Sequence, residues 1–252
     1  LDTYTLTIDT LHGTAIPAAG VTTNDWNTNI NATVTTPAYD GTTTQYICTG
    51  WTGTGSATNG TGTNTTFSIT NDSTIGWLWT TNYMLTIGTT NCSVNVTNNF
   101  KAADSNVTVT VTPDMYTHFV TWTGDTNGCT THGYDITLPM SQARSITAVC
   151  AFDIVTINAS AGANGAISPS GVVQFSAGQT TNFTMVPNSG YHVADVLVDS
   201  ISVGASNTYE FVNVTNNHTI AVSFAINMFT LNITSSHGGA TPSGLSTNNW
   251  GT

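Results

Sequence analysis

Residues Asn106–Pro113 read NVTVTVTP. Val107, Val109 and Val111 alternate with Thr108, Thr110 and Thr112, which places the valines on one face of an extended chain and the threonines on the other. Val and Thr are both β-branched and favour that backbone. A helix would need apolar residues at three- and four-residue spacing, and no long stripe of that kind occurs in the 252 residues. Clusters of Gly, Asn, Asp and Ser punctuate the chain at short intervals, as turns do in an all-β protein.

Working outward, the pattern returns in three modules of five short strands each. The first predicts strands at Tyr4–Ile8, Asn29–Pro37, Thr44–Gly53, Thr65–Asn71 and Thr74–Thr80. The second predicts Tyr83–Ile87, Asn106–Pro113, Tyr116–Gly124, Tyr134–Met140 and Ser145–Phe152. The third predicts Ile154–Ala159, Thr180–Pro187, Tyr191–Asp199, Thr208–Asn213 and His218–Ala225. Pro37, Pro113 and Pro187 each close a second strand, and Trp51, Trp122 and Val196 sit in the middle of each third strand. The modules span 1–82, 83–153 and 154–228, and a further one begins at 229–252. That last stretch, FTLNITSSHGGATPSGLSTNNWGT from Phe229, repeats the opening YTLTIDTLHGTAIPAAGVTTNDWNT from Tyr4 with one residue dropped. Modules of roughly 75 residues bury modest cores and gain stability by stacking. The linkers Thr81-Asn82, Asp153 and Ile226-Asn227 are too short to act as flexible tethers, so consecutive modules are expected to be held at defined angles.

Composition narrows the function classes. Hydrophobic residues make up 39% and charged residues only 6%, against about 25% charged in ordinary domains. Two basic residues, Lys101 and Arg144, face 13 acidic ones, giving a net charge of −11. Nucleic acid needs clustered Lys and Arg to neutralise phosphates, so it is not an expected partner, and an anionic membrane surface is disfavoured for the same reason. No run of about 18 apolar residues exists, so no insertion into a membrane is expected. Without a basic-then-apolar opening, and with Leu1 first, the chain is expected to be a mature or excised segment. No cofactor is expected; Ca²⁺ is the one cation that the oxygen-rich composition leaves open.

The third module resembles the bacterial and archaeal cell-surface repeats related to the internalin B-repeat and the Listeria–Bacteroides repeat. The residues that carry the resemblance are Gly165 with Ile167-x-Pro169, Pro187-Asn188-x-Gly190-Tyr191, Val196-Leu197-Val198-Asp199, Tyr209-x-Phe211, and His218-Thr219-Ile220 before Phe224. The second module carries Trp122-x-Gly124-Asp125, Ile136-x-Leu138-x-Met140 and Ser145-Ile146-Thr147-Ala148, and the more divergent first has Cys48-Thr49-Gly50-Trp51-Thr52-Gly53. The resemblance implies compact β modules, some β-grasp-like, strung along extracellular proteins, and it implies no catalytic residue.

Four cysteines in small β modules favour disulfides. First and last strands often sit side by side in such modules, which favours Cys92–Cys150 and leaves Cys48–Cys129 as a brace; pairing of Cys92 with Cys129 is the main rival. Asn-x-Ser/Thr sequons make Asn31, Asn59, Asn64, Asn71, Asn91, Asn95, Asn106, Asn158, Asn182, Asn213, Asn217 and Asn232 candidate glycan acceptors, although Ser and Thr are common enough here for many to match by chance. Trp26, Trp51, Trp77, Trp79, Trp122 and Trp250 read first as core and junction residues and second as a sugar-stacking surface. Asp125 and Asp199 read as turn residues before they read as Ca²⁺ ligands, and His12 and His237, each before a Gly, read likewise. No nucleophile elbow, carboxylate pair or phosphate loop appears, so no enzyme is expected. The expected role is structural: a repeating segment of an extracellular filament, stalk or surface layer. Its partners would be copies of itself or further repeats of a longer chain. Phe229, Leu231 and Ile233 would form the assembly strand, with contacts outside their own module. The rival expectation is an adhesin that binds glycans.

Overall fold

A computed structural model describes residues 2–241 and 243–251. Every described element is a β-strand or a turn, and no helix occurs among the described residues. The chain divides into two compact units. The first comprises Leu1–Asp114 with Phe119–Ala151, and the second comprises Met115–His118 with Phe152–Thr252.

In the first unit, module one contains β1 (Thr3–Asp9), β2 (Ala15–Ile16), β3 (Gly20–Asp25), β4 (Asn29–Val34), β5 (Ala38–Asp40), β6 (Thr44–Thr54), β7 (Gly60–Thr61), β8 (Asn64–Ser68) and β9 (Ser73–Thr90). Two layers enclose its core. β1 pairs antiparallel with β3 and parallel with β9, while β9 pairs antiparallel with β6. β2, β4 and β8 form the smaller layer, with Ile30 opposite Phe67. Leu6, Ile8, Ile30, Ala32, Trp51, Ile69, Ile75 and Trp77 fill the space between, and burial of such side chains stabilises by about 1.5–3 kcal/mol each.

The strands predicted at Thr74–Thr80 and Tyr83–Ile87 are one continuous 18-residue strand, β9. The last strand of module one is therefore the first strand of module two, and the expected linker Thr81-Asn82 is strand. Module two continues with β10 (Cys92–Val94), β11 (Asn99–Ala102), β12 (Asn106–Pro113), β13 (Thr117–Gly124), β14 (Thr130–His132), β15 (Asp135–Pro139) and β16 (Arg144–Phe152). In β12 the valines do face the core: Val109 and Val111 are buried and Thr108 and Thr112 exposed. Its core joins Leu85, Val109, Val111, Trp122, Ile136, Leu138, Met140 and Ile146.

The second unit holds module three: β17 (Ile154–Ala161), β18 (Gly165–Ser168), β19 (Gly171–Ser176), β20 (Thr181–Pro187), β21 (Tyr191–Val198), β22 (Ile201–Gly204), β23 (Thr208–Phe211) and β24 (His218–Ile226). The order β19-β17-β24-β21-β22 repeats the scheme of module one, and β18-β20-β23 is the second layer. Phe183, Met185, Val196, Ile157 and Ile220 lie at its centre, nearly or wholly without solvent contact. A final hairpin, β25 (Met228–Ile233) and β26 (Gly244–Asn249), starts the next module.

The expected disulfides are not formed: all four cysteines are free thiols. Cys48 lies in the core of module one and donates to the carbonyls of Gly50 and Gly62 at 3.5 Å, whereas Cys129 lies in the Asp125–Asn127 turn of module two, so no brace joins them. Cys92, in β10, and Cys150, in β16 of the other sheet of the module, do come together, but as a hydrogen-bonded pair. The Cys92 thiol also donates to the carbonyls of Thr90 and Ala148. Burial, then the neighbouring Cys92, pushes the Cys150 thiol up to about 12, and burial raises Cys48 as well. Thiols so disposed behave as small core hydrophobes rather than as reactive groups.

Candidate assembly interface

The places where one module gives way to the next carry the most repeated chemistry in the chain. In the first unit, Asn82 Nδ2 donates to Gln45 Oε1 at 3.1 Å, the N–H of Met84 bonds the Thr43 carbonyl, and the N–H of Ala103 bonds the Thr81 carbonyl. In the second unit a tighter form recurs twice, with a single linker residue making all three contacts. Asp153 Oδ1 meets His118 Nδ1 at 2.7 Å, the Asp153 N–H bonds Tyr116, and the Ala177 N–H bonds Asp153. Asn227 Oδ1 meets His192 Nδ1 at 2.9 Å, the Asn227 N–H bonds Gly190, and the Trp250 N–H bonds Asn227. Each second-unit junction thus ties one linker residue to the start of the third strand and to the end of an edge strand, whereas in the first unit neighbouring residues of the continuous strand β9 share the contacts.

Packing completes two of these junctions. The tip residue before β13 is Tyr116, and its ring lies against Gly178; the tip residue before β21 is Gly190, which lies under the Trp250 ring. Tyr116 and Gly190 both have positive φ, 61° and 84°. Trp26 occupies the position of Trp250 in module one, its N–H bonding the Asp2 carbonyl, and it is 55% exposed.

The expected assembly strand is a paired strand, but its partner is β26 of the same segment. Phe229 and Leu231 are exposed and Ile233 is half-buried, so the expected contacts outside the module are confined to Asn227 and Trp250. In module three the counterpart β17 has β24 on its other side, running parallel with Ile157 opposite His218. The equivalent side of β25 has no strand among the described residues.

The remaining expected residues take these places. Trp51, Trp77 and Trp122 are buried in cores, and Trp79 is half-buried with its indole N–H donating to Thr10. Asp125 and Asp199 have one job. Each accepts from the backbone N–H that opens the last strand of its module, Ser145 and Thr219 respectively, at 2.8 Å. Hydrogen bonds from His218 and from the Thr219 N–H hold Asp199 below its ordinary carboxylate range. Among the described residues no group of three or more His, Cys, Asp or Glu could hold a metal ion. His12 and His237 both lie in turns closed by a hydroxyl, Thr10 and Ser235, donating to the histidine carbonyl. Of the twelve sequon asparagines, eleven are exposed, and Asn91 is half-buried with its Nδ2 donating to the Cys150 carbonyl. Asn213 also spends its Nδ2, on Tyr116. A glycan attaches through Nδ2, so these two are the poorest acceptors. Asn95 and Asn217 use only Oδ1, accepting from Thr110 and Thr156.

Arg144 is a structural residue that sequence reasoning did not single out. It is buried, and its guanidinium donates to the carbonyls of Pro139, Asp125 and Asn127 at 2.9–3.0 Å. It fixes the turn after β13 without any carboxylate partner. A lone Arg at the head of a strand carries no motif, and only its rarity could have marked it.

A profile of the divergent InlB B-repeat domain matches residues 83–151 and 155–228. The chain belongs to this family. The two matches coincide with modules two and three, and repeats of this kind are typically surface-associated. No helix of the described residues is long and apolar enough to cross a membrane. No curated protein and no solved structure matches the chain.

Proposed function

We propose that this protein is a structural segment of an extracellular filament, stalk or surface layer, without catalytic activity, in which B-repeat modules follow one another through latched junctions. The observation that carries the reading is the junction itself, built twice around a single linker residue and once from neighbouring residues of β9, each time with a third-strand side chain and two backbone bonds. A module that only floated on a tether would not need it. Two surfaces support continuation of the same pattern by a further copy of the chain or by further repeats. Trp250, itself 50% exposed, covers the Gly190 tip while no glycine lies against Trp26 among the described residues, and among those residues β25 has an unpaired edge flanked by exposed Met228, Phe229 and Leu231. Strand addition along that edge would supply backbone hydrogen bonds and bury those side chains. Sparse charge leaves hydroxyls, amides and any attached glycans to keep the surface hydrated.

Negative-stain electron microscopy of the native material tests the reading. Fibres or a regular layer are expected. Uniform, unconnected particles at every concentration would overturn it. In the recombinant chain, Phe229→Asp combined with Leu231→Asp is expected to lower the assembled fraction while leaving module three folded, as read by sedimentation velocity and circular dichroism.

A further inference from the structure

The outer edge of the third strand is closed in two modules and open in one. In module one, β7 pairs antiparallel with β6, setting Gly60 opposite Trp51. Gly60 lies flat on the indole, where a Cβ would overlap the ring. The Trp51 indole N–H then donates to the Thr58 carbonyl at 2.8 Å. In module three, β22 closes β21 and again sets a glycine, Gly204, opposite the central residue, Val196, although nothing lies within 4 Å of where its Cβ would stand. Module two has its Trp122 at the same point of β13, and the residues eight and nine positions on, the spacings of Gly204 and Gly60, are Thr130 and Thr131. A threonine side chain cannot lie on the ring where only glycine fits. The segment accordingly turns away: β14 pairs with β15, Thr131 opposite Ile136. Arg144 anchors the intervening turn through the Asp125 and Asn127 carbonyls.

Three things are left behind. The edge of β13 away from β16 has no strand among the described residues. A groove of about 430 Å³ opens there, lined by Phe119, Val120, Trp122, Thr126, Cys129 and Thr131, with no charged side chain in its wall. And Trp122, 8% exposed, has no glycine against its ring among the described residues, where Gly60 covers Trp51.

We propose that this groove is a docking site for an extended, glycine-bearing strand of another protein, added antiparallel to β13 where β7 and β22 lie in the sibling modules. The occupant's chemistry is read from those two strands. Its backbone pairs with the open edge and a glycine lies over Trp122. Its residues facing the groove are uncharged. A second copy is disfavoured as the donor because β7 and β22, the described strands that set glycine at this position, are engaged in their own modules. The site is independent of filament formation, since it uses neither Trp26 nor the terminal hairpin.

The test uses the full chain and a capped peptide with the sequence of Ser56–Gly62, SATNGTG, as the probe. The peptide is titrated while the indole N–H resonances are followed by NMR. The Trp122 indole resonance is expected to shift in a saturable way. A peptide carrying Val in place of its central glycine is expected to bind at least about tenfold more weakly. The exposed-site variant Thr131→Arg, which crowds the groove without touching the core, is expected to abolish the shift at unchanged Tm. No saturable shift, or equal binding by the Val peptide, would overturn the proposal. So would a shift produced by oligosaccharide instead of peptide, or one produced by raising the protein concentration alone, which would assign the groove to glycan or to a second copy. Loss of this binding with fibres intact would leave the filament reading standing.

Discussion

The second unit contains two versions of one junction, and they reach the same packing from opposite sides. At Tyr116 the tip of the hairpin is large and the surface it meets, Ala177-Gly178, is small. At Gly190 the tip is bare and the surface it meets is Trp250. The backbone bonds are the same in both, and so is the positive φ of the tip. What is kept is the filled volume between tip and edge strand; which side supplies the ring is free to change. A ring on both sides would collide, and a ring on neither would leave a void, so the two positions are coupled even though neither is fixed.

The largest expected effect comes from breaking the first version. Gly178→Val puts a β-branched side chain at a φ of +87° and its Cβ 2.6 Å from the Tyr116 ring. Backbone strain and overlap together are expected to cost roughly 3 kcal/mol, visible as a lower midpoint in denaturant unfolding followed by circular dichroism. A change near zero would mean that Tyr116 is free to swing away and that the contact is incidental.

The second version can be turned into the first. Gly190→Tyr alone is expected to displace Trp250 and loosen β26, with faster hydrogen exchange there and a loss of roughly 2 kcal/mol locally. Adding Trp250→Ala should restore most of the loss, because the pair then matches Tyr116 with Ala177. Additive losses in the double variant would break the comparison.

Much of this architecture was legible, and the reasons are local. β12 was readable because Val109 and Val111 face a core while Thr108 and Thr112 face water. The equivalence of Trp26 and Trp250 was readable from repeat alignment, and both return an N–H to the residue that precedes the module. The added strands β3, β19 and β26 were not readable. They lie at sheet edges: GVTTND and GLSTNN are mostly exposed and lack the alternation that marks a half-buried strand, and GVVQFS buries only part of one face, at Val173 and Phe175. The continuity of β9 was hidden by Thr81-Asn82, which looks like a turn and is held as strand by Thr44–Tyr46 on one side and by Asn99–Ala102 on the other. The cysteine pairing is illegible for a different reason: the first and last strands of module two do lie side by side, β9 with β16, but Cys92 stands beyond β9 in the other sheet, and nearness to Cys150 does not make a bond.

The latches differ in charge as the tips differ in size. His118 has a carboxylate partner, Asp153, whereas His192 has an amide partner, Asn227. Both members of the His118–Asp153 pair are about half exposed. Solvent screens such a pair, and exposed pairs are worth about 0–1 kcal/mol. Asp153→Asn, which copies the other latch, is therefore expected to lower stability by no more than about 0.5 kcal/mol at pH 6. A loss several times larger would show that the charge, and not the hydrogen bond, holds that junction.

The smallest expected effect is a change of slope. Modules one and three fasten their first strands in the same way, through the N–H of Thr5 to Asp72 Oδ1 and the N–H of Thr156 to Asn217 Oδ1. Only the first of these titrates. The Thr5 N–H bond holds the Asp72 carboxyl below its ordinary value of 3.8. A depressed carboxylate contributes stability that is fully present above its unfolded pKa and is lost as the pH falls through its folded one. The Asp72 contribution therefore disappears below about pH 4, where the unfolded state takes up the proton first. Asp72→Asn gives module one the latch of module three. It should flatten the acid limb of the stability curve in that window and leave the curve above pH 5 nearly parallel to the parent. Full exposure of Asp72 keeps the effect small, so the measurement is the difference in slope between parent and variant in urea titrations stepped from pH 5 to pH 3. Identical slopes would mean that the Thr5 bond forms equally well to the protonated carboxyl, and the likeness between the two latches would then extend to their indifference to acid.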